Sequence, residues 1–316
     1  MAVSALAGWM GWSLGPAGEG DPVVVWVPPG ADAGQVAELL YRHGLIRSRL
    51  AFRVRARWRG LAGKLQAGEY RLRPAEGVDR LLDRLASGDV VRYRVTIPEG
   101  YTAVQIADLL HRLGLVDRAA FLREVRNAPA HRIPEIEGDD PSSLEGYLFP
   151  DTYEFPRGLP ARAVVATMVA RFRDATRDLW ALPRPLGLSP HEVVTVASLV
   201  EREARHDGER ARIAGVLYNR LRRGMPLQVD ATVLYALGRH KDRVLYADLE
   251  VPSPYNTYRR PGLPPGPIAS PGLRSLRAAL QPEQHDFLYY VARPDGTHVF
   301  SRTLAEHERA VRALSR

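Results

Sequence analysis

One stretch of this sequence occurs twice. Val25–Ile46 (VWVPPGADAGQVAELLYRHGLI) aligns without gaps on Val95–Val116 (VTIPEGYTAVQIADLLHRLGLV), 70 residues later, with 11 of 22 positions identical. Whatever backbone the first copy adopts, the second must be able to adopt as well. Each copy predicts a short apolar strand ending at Pro28 or Pro98, then a turn at Gly30 or Gly100. A helix follows, in which Val36, Ala37, Leu39 and Leu40 match Ile106, Ala107, Leu109 and Leu110 at helical spacing, and it stops at Gly44 or Gly114. A weaker echo lies downstream. Gly68–Leu72 resembles Asp151–Phe155, each leading to a candidate helix, Val78–Ala86 and Ala161–Phe172. The expectation is α+β: two repeated small strand–helix modules, each of about 70 to 80 residues. The arginine-rich run between the first strand pair, Ile46 to Gly60, reads as a solvated helix face, with acidic headgroups or polymer as an alternative contact.

Composition excludes more than it selects. Of the 44 basic residues 42 are arginine and the net charge is +8, which fits either an arginine-biased composition or attraction to an anionic partner. No nucleic-acid module, phosphate loop or dinucleotide fingerprint occurs, so no nucleic acid is expected as partner. The absence of cysteine removes disulfides, thiolate metal sites and a cysteine nucleophile. Glu203-Ala204-Arg205-His206 has the spacing of a di-iron helix but lacks matching ligands, so neither metal nor cofactor is expected. Met1–Leu14 is uncharged and mostly apolar, yet shorter than the roughly 20 residues of a span. It reads either as the end of a membrane helix that begins upstream or as an apolar tail.

Ser189-Pro190-His191-Glu192 is a strong helix start, with serine at the N-cap, proline first in the helix and glutamate completing a capping box. Val193, Val196, Ala197, Val200 and Ala204 then give the helix an apolar stripe. Glu201 emerges from a small, apolar face formed by Val194, Ala197 and Ser198. Desolvation there would raise its pKa toward the working range of a general acid. On local chemistry alone, an ion pair with Arg202 or Arg205 is the better explanation of Glu201. Glu203, about 200° around the helix, is expected to face solvent or an arginine.

Four blocks occur in order: LEGYLFPDTYEFPRG (144–158), VASLVEREARHDGERARIAGVLYNRLRRGMPLQVDATVLYALG (196–238), SPYNTYRRPGLPPGPIASPG (253–272) and FLYYVARPDGTHVFSRTLAEHERAV (287–311). This ordered set resembles the endolytic murein transglycosylase (YceG-like) family. By position, the resemblance places the family's catalytic glutamate on Glu201. It implies a lytic transglycosylase that leaves 1,6-anhydro ends on peptidoglycan glycan strands, with one carboxylate serving as acid and then base. It further implies a single-pass protein of the cytoplasmic membrane, anchored through its N-terminal segment, with its catalytic part outside and peptidoglycan synthases as partners. The modules look LysM-like, a likeness at the level of fold.

Other residues fit that resemblance. Gln228 and Asp230 lie on an extended stretch and can hydrogen-bond sugar hydroxyls, although Asp230 equally suits capping a helix from Ala231 to Leu237. Tyr255, Asn256 and Tyr258 sit in a proline-rich loop; they suit either sugar contact or anchoring of the loop. Phe287–Ala292 and His298–Ser301 read as a hairpin turning at Pro294-Asp295-Gly296, followed by a capped helix from Thr303. The expected division is 1–20 as partial anchor or tail, 21–94 and 95–185 as the two modules, and 186–316 as a mainly helical catalytic domain ending in the β-hairpin. Two alternatives stand beside the transglycosylase: a non-catalytic peptidoglycan-binding or scaffold protein, and a hydrolase using Asp230 as second carboxylate.

Overall fold

The structure, a computed structural model, describes residues 2–131, 133, 143–238 and 244–314, with side chains from residue 8 onward. Met1 of the apolar N-terminal stretch lies outside these. The fold mixes helices with small two-stranded sheets, an α+β architecture, and parts into two compact units, Met1–Val95 with Glu154–Leu159, and Thr96–Tyr153 with Pro160–Arg316.

The first unit opens with α1 (Ala2–Leu14), then runs β1 (Val23–Val27), α2 (Ala33–Arg42), α3 (Arg49–Trp58), β2 (Gly68–Leu72) and α4 (Val78–Ser87). Strand β1 pairs antiparallel with β2, Val23 opposite Leu72 and Val27 opposite Gly68. Alternation buries Val25 and Val27 against Val36 and Leu40 of α2 and Leu81, Leu82 and Leu85 of α4. The chain reverses between β1 and α2 at Gly30, whose φ of 77° favours glycine, and Asp32 with Gln35 closes a capping box on α2. The arginine run forms α3, which buries Ala51, Phe52 and Ala56. Arg55 chelates Asp79 on α4 at 2.7 and 2.8 Å, and Arg59 reaches Asp83 at 2.8 Å, so only part of the run is a free solvated face. Helix α1 has 13 residues; among the described residues no helix is long and apolar enough to cross a membrane.

The chain repeats this order from β3 (Arg92–Thr96) through α5 (Ala103–Arg112), α6 (Arg118–Val125), β4 (Thr152–Pro156) and α7 (Ala161–Thr176). β3 pairs with β4, Gly100 has φ 76°, and Thr102 with Gln105 closes the matching capping box. Even the weak echo has a structural counterpart. Tyr70 donates to the carbonyl of Gln66 at 2.8 Å and Tyr153 to that of Phe149 at 2.6 Å, each four residues back.

The rest of the second unit is built on α8 (Pro190–Glu203), which contacts α9 (Arg210–Arg222), α10 (Asp230–Leu237) and α11 (Leu273–Leu280). The chain then forms the hairpin β5 (Tyr289–Ala292) and β6 (His298–Ser301), antiparallel with Tyr289 opposite Ser301, and ends in α12 (Leu304–Leu314). Ser189 and Glu192 make the expected capping box on α8. The expected one-sided stripe is corrected: every residue from Val193 to Val200 is buried, because α8 is packed from several sides.

Candidate active site

Glu201 stands in the last turn of α8 with its side chain only 5% exposed. Its Oε1 accepts from Arg210 Nη1 at 3.1 Å and its Oε2 from the backbone N–H of Gly272 at 2.9 Å. Arg210, at the start of α9, also donates through Nε to Asp207 at 3.0 Å and through Nη1 to Ser275 at 2.6 Å. The ion pair left open by local reading therefore exists, but with a partner from another helix; Arg202 instead donates to the carbonyl of Gly100 at 3.2 Å. Ser198, one turn before Glu201, accepts the N–H of Ile268 at 3.1 Å and so ties the proline-rich loop to α8.

The same helix end opens on a cavity of about 570 Å³, lined by Glu203, Gln228, Asp230, Tyr258 and Tyr290 among others but not by Glu201. Glu203 is a correction to the sequence expectation. It turns into this cavity, where its carboxylate accepts from Tyr290 OH at 2.9 Å. The rule that the far side of an amphipathic helix meets water holds for surface helices; α8 is not one. Burial pushes the Glu203 carboxyl up to about 7, the Tyr290 hydrogen bond opposes this and the charge of Asp230 adds to it.

Gln228, two residues before α10, and Asp230, its first residue, face this cavity. Gln228 has φ 53°, a strained value for a residue with a side chain. Its N–H donates to the carbonyl of Thr257 at 3.1 Å, and its Oε1 accepts from Arg220 at 3.2 Å. Arg220, 8% exposed, is fixed by the carbonyls of Leu288 and Leu227 at 2.7 and 2.8 Å. Asp230 does not cap α10. The N-cap is Val229 without a side-chain bond, and the exposed Asp230 carboxylate accepts the hydroxyl of Tyr258. Burial and then Asp230 push the Tyr258 phenol well above its usual range.

The loop residues divide. Tyr258 lines the cavity, whereas Tyr255 packs on Tyr235 with ring centroids 4.8 Å apart. Asn256 is wholly buried; its amide donates to the carbonyls of Leu249 and Val251 at 2.8 and 3.0 Å and accepts from the N–H of Tyr258 at 3.0 Å. It is thus a strut that sets Tyr258. Sequence reasoning missed Arg210, Arg220, Tyr290 and Glu99 as parts of this region. Their partners lie up to about 170 residues away along the chain, as Gly272 does from Glu99, beyond the reach of a periodicity argument.

Fold and site together define a class: α+β proteins in which a buried central helix turns a carboxylate, here Glu203, into a polar, tyrosine-lined cavity. The chain matches the YceG-like family over residues 25–313 and belongs to it. It is 36% identical over 301 residues to a protein named endolytic murein transglycosylase from Bacillus subtilis, covering 90% of this chain and 82% of that one. A Streptococcus pneumoniae protein of the same name is 31% identical over 318 residues, covering 92% of this chain and 58% of the relative. The crystal structure of a YceG-like protein from Listeria monocytogenes superposes with a TM-score of 0.59 at 35% identity, covering 93% of this chain and all of the other.

Proposed function

We propose that the chain is a lytic transglycosylase that cuts peptidoglycan glycan strands internally, between N-acetylmuramic acid and N-acetylglucosamine. The observation that carries this reading is Glu203, which lines the polar cavity with Gln228, Asp230 and Tyr258 and whose carboxyl is pushed up to about 7 by burial, in a chain whose relatives bear the corresponding name. Glu201, the acid expected by position, is instead held by Arg210 and the Gly272 N–H outside the cavity lining. Protonated Glu203 gives its proton to the glycosidic oxygen as the C1–O bond breaks. As a carboxylate it then takes the proton of the muramic 6-hydroxyl while that oxygen bonds to C1, closing a 1,6-anhydro ring. No water is consumed and no second carboxylate is required, since the attacking hydroxyl is already held in the substrate at high effective molarity. Gln228, Asp230 and Tyr258 contact the sugar from the cavity wall, while Tyr255 and Asn256 hold the loop. Mass analysis of the ends released from defined glycan strands tests the reaction: anhydro ends are expected. Reducing ends would instead favour a hydrolase with Asp230, whose carboxylate stands exposed at the cavity, as second carboxylate. Glycan retention without cleavage would favour a binding or scaffold role.

The strand–helix–helix–strand–helix modules are read as LysM-like glycan-binding elements. In support, the first has a cavity of about 260 Å³ between its turn, Pro28 to Ala31, and α2. Membrane association rests on α1, which is uncharged and exposes Trp9 and Trp12. Its 13 residues rise about 20 Å, short of the roughly 30 Å hydrocarbon core, so α1 as described supplies part of an anchor. Placement on the outer side of the cytoplasmic membrane, alongside peptidoglycan synthases, follows from the substrate.

A further inference from the structure

Helix α3 is covered on one side only. Ala51, Phe52 and Ala56 are buried in the first unit, while Leu50, Val54 and Trp58 recur every fourth residue on the other side and are exposed, Trp58 by 75%. A surface helix ordinarily turns such an apolar row toward the core. Here the row faces outward and runs about 12 Å along the helix. Arg53 and Arg57, one turn apart on the same side, are also exposed. The arginines around them are paired: Arg42 and Arg49 with Glu38, Arg55 with Asp79, and Arg59 with Asp79 and Asp83. Arg53 and Arg57 have no hydrogen bond or ion pair among the described residues. No acidic residue occurs between Glu38 and Glu69, so the segment itself does not neutralise them.

The exposed row continues onto α1. Arg47, just before the Ser48 N-cap of α3, donates to the carbonyl of Trp12 at 3.0 Å and lies over its ring, 4.7 Å from the centroid. Trp12 is 60% exposed. At the other end of the row Arg55 sits 4.5 Å over the Trp58 ring and steadies it while most of the indole stays open.

We propose that the outward face of α3 docks on an anionic phospholipid surface, with Leu50, Val54 and Trp58 in the headgroup boundary and Arg53 and Arg57 on the phosphates. This goes beyond the membrane association of α1, and the experiment separates the two. An apolar row alone would suit any apolar partner; unpaired arginines flanking it match a surface that is anionic outside and apolar within. Indole is favoured at that boundary, and the aliphatic stems of arginine lie along apolar surface while the guanidinium reaches phosphate. The ten residues of α3, about 15 Å long, lie along the membrane and do not cross it. Two contacts, one through α1 and one through α3, then hold the first unit against the bilayer.

The chain has no cysteine, so Val54→Cys provides a single labelling site at an exposed position. A nitroxide is attached there in the full chain, which is mixed with vesicles of equal parts phosphatidylglycerol and phosphatidylcholine. The label is expected to lose accessibility to a water-soluble nickel complex and to gain it to oxygen, as a probe in lipid does. With vesicles of phosphatidylcholine alone it should stay in water. In the unlabelled chain, replacing Arg53 and Arg57 together by glutamine should weaken binding to the anionic vesicles about thirtyfold, at about 1 kcal/mol for each arginine. Binding to phosphatidylcholine and the melting temperature should not change, because neither arginine has a partner to lose. A chain bound to anionic vesicles with its label still in water would overturn the proposal and leave the α1 contact standing. A chain that bound no vesicle would overturn both. If the double substitution weakened retention on acidic wall polymer but not on vesicles, the face would belong to the polymer and the proposal would fall.

Discussion

Replacing Glu145 by glutamine should make the second unit more stable at pH 8 than the unsubstituted protein, relative to their difference at pH 4. Glu145 is 5% exposed, and both its oxygens accept the N–H of Ala103, the first residue of α5, at 3.0 and 3.2 Å. Burial pushes its carboxyl up to about 7, against the opposing hydrogen bonds of Ala103 and Tyr235. An unfolded glutamate titrates near 4.3. Below that pH both states hold the proton and the residue costs nothing. Between about 4.5 and 7 the unfolded chain releases it while the folded chain retains it, so stability falls as pH rises and is flat above 7. The gap corresponds to a loss of about 3 kcal/mol across that window, most of which glutamine should abolish. Urea unfolding between pH 4 and 8 measures it. Replacing the tryptophans at 9, 12, 26 and 58 by phenylalanine leaves Trp180, packed on Phe172, as the reporter of the second unit. Parallel stability profiles for the two proteins, with a constant offset at every pH, would refute the reasoning.

Gln228→Gly should relieve the positive φ and raise the melting temperature by an amount equivalent to about 1 kcal/mol, while raising KM for glycan because the cavity loses its amide. Arg220→Met removes a buried cation that fixes three backbone carbonyls and Gln228; a loss of about 3 kcal/mol in urea unfolding is expected, together with reduced activity. Tyr70→Phe and Tyr153→Phe should each cost about 1 kcal/mol, since both lose the same hydroxyl-to-carbonyl bond four residues back; hydrogen exchange at the neighbouring amides would show the two effects separately.

The repeat carried most of the fold that was legible in the sequence, because its signals are local. A capping residue, an αL glycine and a helical stripe act within a few residues, and Asp32, Thr102, Gly30 and Gly100 occupy the positions their types require. The start of α8 and the terminal hairpin were legible for the same reason. The site was only half legible. Periodicity could put Glu201 on an apolar face, but it could not name Arg210 as partner or reveal that other helices would cover the side bearing Glu203. Asp230 had the sequence of a cap, yet Tyr258, 28 residues on, claims its carboxylate. Asn256 had the chemistry of a sugar ligand, and the loop consumes all of it. Each difference arises where a polar group finds a partner distant in sequence but near in space, which outweighs a local preference worth about 1 kcal/mol.

The most direct test of the central claim is Glu203→Gln, which keeps an oxygen to accept the Tyr290 hydroxyl and removes the transferable proton. Defined glycan strands would be incubated with both proteins and the products resolved by mass, with melting and glycan retention measured in parallel. The expected result is an unchanged fold, retained glycan binding and no 1,6-anhydro ends. A variant that still released anhydro ends at a comparable rate would contradict the account.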